Sequence, residues 1–308
     1  MVSKLTSVGP EITKRHLIFI VFVAASCLVF YKTTSELVRY SLRDDSASHV
    51  ILIPVIAYFL MGLERSRIFS ITRSSPGPGI GLIGVGPLMF WQATRLSPQQ
   101  PGSWSFSLEI LSILVVWLGG FLWCYGFQAL RAAAFPFLFL LLTIPFPDEI
   151  LNRIIYALQA GSTAISYFIF QAVGTPVVRE GFLLSLPGVT IEIAKECSSI
   201  RSSIALLVTC LLAAHLYLRT TWKIILFVAL AMVVSVVKNG IRIATLTLLS
   251  IHVDPGFLTG KLHQRGGFVF FLIALAILYP ILLLLQKSEP SGQNPETGKV
   301  KATLVSES

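Results

Sequence analysis

The chain has 308 residues, with 24 Lys and Arg against 15 Asp and Glu, and a formal net charge of +9. Apolar side chains make up 54% and charged ones only 13%, about half of the ~25% usual in soluble domains. That composition excludes a disordered chain and an ordinary soluble enzyme, and the length suits about eight membrane spans of ~20 residues with short loops.

The first apolar run, residues 17–30, follows Lys14 and Arg15. It imitates a signal peptide, but no small-x-small cleavage site with a long polar mature region follows, so it reads as a retained span. The second run, residues 50–61, follows Ser48-His49 and contains Pro54; the third, residues 77–93, is rich in glycine. Residues 108–130 form the fourth, and residues 132–145, after Arg131, the fifth.

A different stretch follows. Residues 148–171 carry Asp148, Glu149, Arg153, Gln159 and Gln171, and read as an interfacial or re-entrant helix, or as a further span. Residues 174–196 are the most polar internal part. There Val177-Val178, Phe182-Leu183-Leu184 and Val189 to Ile193 look like short strands broken by Gly181 and Pro187-Gly188, which predicts a small folded loop on the membrane surface.

The sixth span covers residues 199–218 and the seventh residues 222–237. A polar break at Lys238-Asn239-Gly240-Ile241-Arg242 precedes an apolar continuation over residues 243–251, and the last span covers residues 266–285. Residues 286–308 read as a disordered cytoplasmic tail, leaving residues 1–285 as one integral membrane domain. The expected fold class is an all-α polytopic membrane protein of about eight transmembrane helices, with a small extracytoplasmic loop region ahead of Cys197. A cytoplasmic N-terminus places Arg65, Arg67, Arg73, Arg131, Arg219, Lys223 and the tail inside, in accord with the positive-inside rule.

On that frame Cys197, Arg242 and His263 arrive at one outer face. Lys, Arg and His in or beside spans are costly unless they face a cavity or a partner. Cys197 lies in Glu196-Cys197-Ser198-Ser199-Ile200-Arg201, predicted as the first turns of a helix, whose positive end favours a thiolate. Arg201, four residues on, shares its face. A packed free thiol is the plainer reading. Arg242 offers a fixed fork of donors for a carboxylate or acyl oxygen, with Asn239 one turn earlier to orient it. The alternative is an interfacial arginine that snorkels, as Lys238 is expected to do. His263 can take a thiol proton and return it, or can be a loop histidine at headgroup level, and His252 competes with it.

His49 is on the same face and could line the site or bind substrate. His215 is 18 residues beyond Cys197, roughly 27 Å along a helix, too far to serve as its base. Cys27, Cys124 and Cys210 lie in apolar runs, where a free thiol acts as a small hydrophobe. No C-x-x-C pair is present, so neither a metal centre nor another cofactor is expected. The chain also lacks H-E-x-x-H, G-x-S-x-G and P-loop motifs, and no charge run is dense enough for nucleic acid.

The ordered set Glu196 to Ser202, then Asn239-Gly240-Ile241-Arg242-Ile243, then His263 before a glycine-led last span, resembles the exosortase/archaeosortase family. Ser48-His49 with Ile51-Leu52-Ile53-Pro54, Arg179-Glu180-Gly181 and Leu186-Pro187-Gly188 add to the likeness, which covers about residues 15–285. Ser198-Ser199 departs from the family's usual Ser-Gly. The resemblance implies a bacterial inner-membrane cysteine peptidase or transpeptidase with its site facing the periplasm. Such enzymes often accompany exopolysaccharide production. Its substrates would be exported proteins carrying a C-terminal motif, a transmembrane helix and a basic end, passed to an acceptor the sequence does not name. Cys197 would be the nucleophile, with Arg242 and His263 its partners and Asn239, Arg201 and His49 in support. Two other readings compete: a membrane acyltransferase using His263 on lipid or polysaccharide, and a transporter with Arg242 as an anion site.

Overall fold

The structure, a computed structural model, describes residues 10–70, 73–96, 100–194, 200–257 and 267–289. It divides into two compact units, Met1–Ala157 and Leu158–Ser308, with the boundary inside one helix. The expectations for Cys197 and His263 lie outside the described residues, as do residues 290–308 of the expected 286–308 tail; its first residues are described, the last helix running to Lys287.

In the first unit, α1 (Pro10–Val29) is followed by α2 (Tyr31–Arg43), α3 (Leu52–Leu63), α4 (Pro76–Arg95), α5 (Trp104–Ala132), α6 (Ala134–Leu140) and the start of α7 (Asp148–Ala172). Helix α5 is the hub. Ser103 caps it, its side chain accepting from the Phe106 amide at 3.1 Å, which satisfies one of the unpaired first-turn donors. Phe106, Ile110, Ile113 and Val116 bury against Phe30, while Phe121, Tyr125 and Ala129 form a second cluster with Ile68. Glu109, on the same helix, is buried and accepts from Thr33 Oγ1 at 2.7 Å.

Two glycines of α4, Gly79 and Gly86, have a packing reason, since a Cβ at either would press into α5. A Cβ on Gly119 of α5 would sit 2.8 Å from the Ile83 nitrogen and 2.9 Å from the Gly79 carbonyl of α4. Backbone therefore meets backbone at this crossing, as small residues permit between membrane helices.

The second unit holds the rest of α7, a three-stranded antiparallel sheet of β1 (Val178–Glu180), β2 (Leu183–Leu186) and β3 (Val189–Glu192), and helices α8 (Ile200–Tyr217), α9 (Thr221–His252) and α10 (Gly267–Lys287). Gly181 (φ 62°) and Gly188 (φ 82°) make the two tight turns, so the strands fall where the sequence predicts. Leu184 pairs with Arg179 on one side and Ile191 on the other. Helices α8, α9 and α10 share a core of Leu206, Cys210, Phe227, Ala231, Ala274 and Leu278. At one end of this bundle Glu289 accepts from Thr220 Oγ1 at 2.6 Å and from the backbone of Arg219 and Thr220. Those hydrogen bonds hold its carboxyl below the usual value.

Among the described residues five helices are long and apolar enough to cross a membrane: α1, α5, α8, α9 and α10. A sixth results if residues 134–143 and α7, bent by 91°, count as one. Helix α3, with 12 residues, is ~18 Å long and falls short of the hydrocarbon core. Helix α4 has the length but is diluted by glycine and proline. The polytopic helical class is as expected, while length and apolarity support fewer complete spans than about eight. One boundary also differs. The polar break at residues 238–242 does not end a helix; α9 runs unbroken from Thr221 to His252.

The close α4–α5 crossing predicts that Gly119→Val destabilises the protein by about 1–3 kcal/mol through overpacking, lowering the melting temperature in detergent. Gly81→Ala, with nothing within 4 Å of its added Cβ, is expected to leave that temperature unchanged.

Candidate active site

Two polar stripes run at helical spacing through otherwise apolar helices. On α7 they are Gln159, Ser162, Thr163 and Ser166, all buried. On α9 they are Ser235, Lys238, Asn239 and Arg242, the first three buried and Arg242 half-buried. Positions i, i+3, i+4 and i+7 share one helix face, so each stripe presents its polar groups together. In an apolar medium such groups must find partners, and here they find each other. Asn239 Nδ2 donates to Ser162 Oγ at 2.9 Å, and Ser166 Oγ donates to the Gly240 carbonyl at 3.0 Å.

Gly240 permits that approach. A Cβ there would lie 2.5 Å from the Ile165 side chain and 3.1 Å from the Ser162 carbonyl. This explains why α9 continues through a sequence that reads as a break: its polar side chains are satisfied laterally, and its glycine is the contact point of a helix pair. The amide of Asn239, expected to orient Arg242, has this bond to α7.

The start of α8 docks on the same stretch of α9. Ser203 and Ser235 pair at 2.7 Å, and Lys238 Nζ donates to Ser202 Oγ at 2.5 Å. Lys238 is 4% exposed, so the expectation of a snorkelling lysine is wrong. A partner hydroxyl within the bundle holds its head, which therefore does not reach for water. Arg242 is one turn further along α9, and Arg201 beside Ser202 is exposed.

Beyond Arg242 the apolar end of α9 is covered by the sheet. Ala244, Ile243, Leu248 and Ile251 pack with Leu184, Leu186, Ile193 and Phe170, and Gln159 of α7 donates to the Ile193 carbonyl. The run that looked like a membrane continuation is thus the seat of the surface sheet, and His252 is exposed at its end.

The bundle's other end fixes the depth of these residues. Lys223 Nζ donates to the Leu285 carbonyl at 3.3 Å and lies 3.8 Å from Glu289. From that level Arg242 is about 28 Å along α9 and Gly267 about 27 Å back along α10, at 1.5 Å per residue. Both distances match a hydrocarbon core of ~30 Å. The starts of α8 and α10 and the Lys238–Arg242 turn therefore lie at the same end of this three-helix bundle, opposite Lys223 and Glu289. Cys197 and His263 lie outside the described residues. His215 lies near the opposite end of α8, about 22 Å from Ile200, as expected.

His49 belongs to the first unit. It lines a pocket with Tyr40, Ser46, Ala47, Pro145, Phe146 and Leu151. Its Nδ1 is buried without a hydrogen-bond partner among the described residues, and burial pushes its pKa down. Among the described residues no cluster of His, Cys, Asp and Glu could hold a metal ion.

Sequence reading singled out Arg242 and Asn239 as candidates, passed over Ser162, Ser166, Ser202, Ser203 and Ser235, and misjudged the burial of Lys238. The signal was present as polar residues at helical spacing within apolar runs.

Residues 41–280 match the sequence family described as transmembrane exosortase. No curated protein and no solved structure matches the chain.

The Asn239–Ser162 bond predicts that Asn239→Ala and Ser162→Ala each destabilise the protein by about 1–3 kcal/mol, since each removes a buried hydrogen bond between two helices. The double variant is expected to lose less than the sum of the two, as measured by denaturation in detergent.

Proposed function

The chain belongs to the transmembrane exosortase family, and we propose that it is a cysteine transpeptidase that removes the C-terminal sorting signals of exported proteins through a Cys197 thioester. The family acts on exported proteins with such signals, and this chain is a multi-pass membrane protein. The observation that carries the finer reading is the Ser202–Lys238 bond. It ties the helix that follows Cys197 to α9 one turn from Arg242, at the depth where the chain re-enters α10 after His263.

In this reading His263 takes the proton of the Cys197 thiol. The thiolate attacks a substrate carbonyl at the outer boundary of the inner membrane, and the guanidinium of Arg242 stabilises the oxyanion. Collapse breaks the peptide bond, and His263 returns the proton to the departing amine of the helical tail. The acyl group remains on Cys197 as a thioester until an acceptor nucleophile or water attacks it. A membrane-embedded enzyme suits a membrane-tethered substrate, which reaches the site by lateral diffusion. Arg201 adds positive charge near the α8 start, and Asn239 holds the turn before Arg242. No cofactor takes part.

Cys197→Ala is expected to leave tailed substrate uncut in cells, while Arg242→Ala lowers processing about 10²–10³-fold and His263→Ala about 10²–10⁴-fold. Immunoblotting of the tailed protein reads the first, and mass analysis of a trapped acyl adduct on Cys197 checks the intermediate. Full processing by a stable Cys197→Ala protein would overturn the reading.

A further inference from the structure

The end of the first unit where α5 finishes gathers cations from several segments. Helix α5 leaves helical geometry at Gly126 (φ 84°, ψ 178°), and other segments dock around that point. The start of α1 is tied there: Arg15 donates to the Cys124 carbonyl at 3.2 Å, and His16 Nδ1 lies 2.7 Å from the Tyr125 hydroxyl. Residues 73–75 lie across the break. The Ser75 amide donates to the Leu122 carbonyl at 3.2 Å, and a Cβ on Gly126 would meet the Arg73 carbonyl oxygen at 1.7 Å. The helical turn Arg65–Ile68 reaches the end of α5, where Arg67 donates to the Ala132 carbonyl at 2.6 Å. These docking points all fall between Leu122 and Ala132, about 15 Å of helix. The segments bring six cations, Lys14, Arg15, Arg65, Arg67, Arg73 and Arg131, against two carboxylates, Glu11 and Glu64. Arg67 pairs with Glu64 at 2.7 Å as well as with its carbonyl. Arg15 and Arg67 thus serve carbonyls near the carboxyl end of α5, where cations are favoured. Lys14, Arg65, Arg73 and Arg131 are exposed.

We propose that this end of the first unit binds the phosphate of an anionic phospholipid, with Lys14, Arg65, Arg73 and Arg131 as the cations that receive it. A guanidinium matches phosphate oxygens bidentately, and basic clusters between helices at a membrane surface take acidic headgroups. The segments that carry these side chains are held on α5 by the contacts above. Convergence on one helix end makes the site, not the charge excess alone, because membrane topology asks only that cations lie on one side of the bilayer. Apolar side chains beside the cations favour a lipid over a free phosphate. Leu17 follows His16 on α1, Leu63 precedes Glu64, and Trp123 and Phe127 lie on either side of the Gly126 break; all four are exposed. Acyl chains run along these side chains when the phosphate sits on the cations, and a tryptophan suits the headgroup level.

The test uses the full-length protein in detergent, with palmitoyl-oleoyl phosphatidylglycerol and the matching phosphatidylcholine as probes and native mass spectrometry as the readout. The wild-type protein is expected to bind phosphatidylglycerol at least about tenfold more tightly than phosphatidylcholine; equal binding overturns the proposal. Arg73→Gln combined with Arg131→Gln is expected to weaken phosphatidylglycerol binding about twentyfold, roughly fivefold per cation. Arg39→Gln combined with Arg43→Gln removes the same charge from α2, beyond the far end of α1, and is expected to leave binding within about twofold. An equal loss in the two double variants would make the effect one of net charge and overturn the site. Arg73→Lys combined with Arg131→Lys keeps the charges and is expected to stay within about fivefold of wild type; a loss as large as that of the glutamine pair overturns the role given to charge. Inorganic phosphate in large excess is expected to leave the lipid bound, and its displacement of the lipid would overturn the lipid assignment.

Discussion

A polar side chain buried between membrane helices has no water to fall back on, and this constraint organises the second unit. Asn239 bonds Ser162, Ser166 bonds the Gly240 carbonyl, Ser235 bonds Ser203 and Lys238 bonds Ser202. Each bond joins two different helices. Removing either partner takes away a buried hydrogen bond that water is not there to replace. The network therefore specifies which faces of α7, α8 and α9 meet, a task that apolar packing among similar Leu and Ile surfaces does poorly in lipid. It also keeps α9 helical through Lys238-Asn239-Gly240 and sets the depth of Arg242.

The length of α9 then has a consequence. Its 32 residues span ~48 Å, well beyond a hydrocarbon core of ~30 Å. The excess projects past the turn of Lys238 and Arg242, and its apolar side chains would be exposed there. The sheet of β1 to β3 covers them through Leu184, Leu186 and Ile193. The same three strands that give the chain a folded surface element are needed to seal the end of its longest helix.

The first unit solves a related problem by different means. Helix α5 buries small and aromatic residues, and its Gly119 meets Gly79 and Ile83 of α4 backbone to backbone. Close contact there comes from missing side chains rather than from polar pairs. The pocket around His49 lies among the helix ends of this unit, with Tyr40 and Ser46 as its other polar walls.

Composition and apolar run length determined the class: a basic chain with 13% charged residues and repeated long apolar runs has no soluble fold to adopt. The hairpins were also legible, because Gly181 and Pro187-Gly188 leave the backbone few alternatives. What the sequence could not decide was whether a polar stretch ends a helix or joins two. Lys238 and Asn239 look like an exit to water when only their own helix is considered. They become interior residues because Ser202 and Ser162 arrive from segments 36 and 77 positions away. The apolar stretch after Arg242 likewise reads as membrane until the sheet that covers it is in place. Local pattern reports how polar a segment is, whereas its partner (lipid, water or another helix) is a property of the assembled fold.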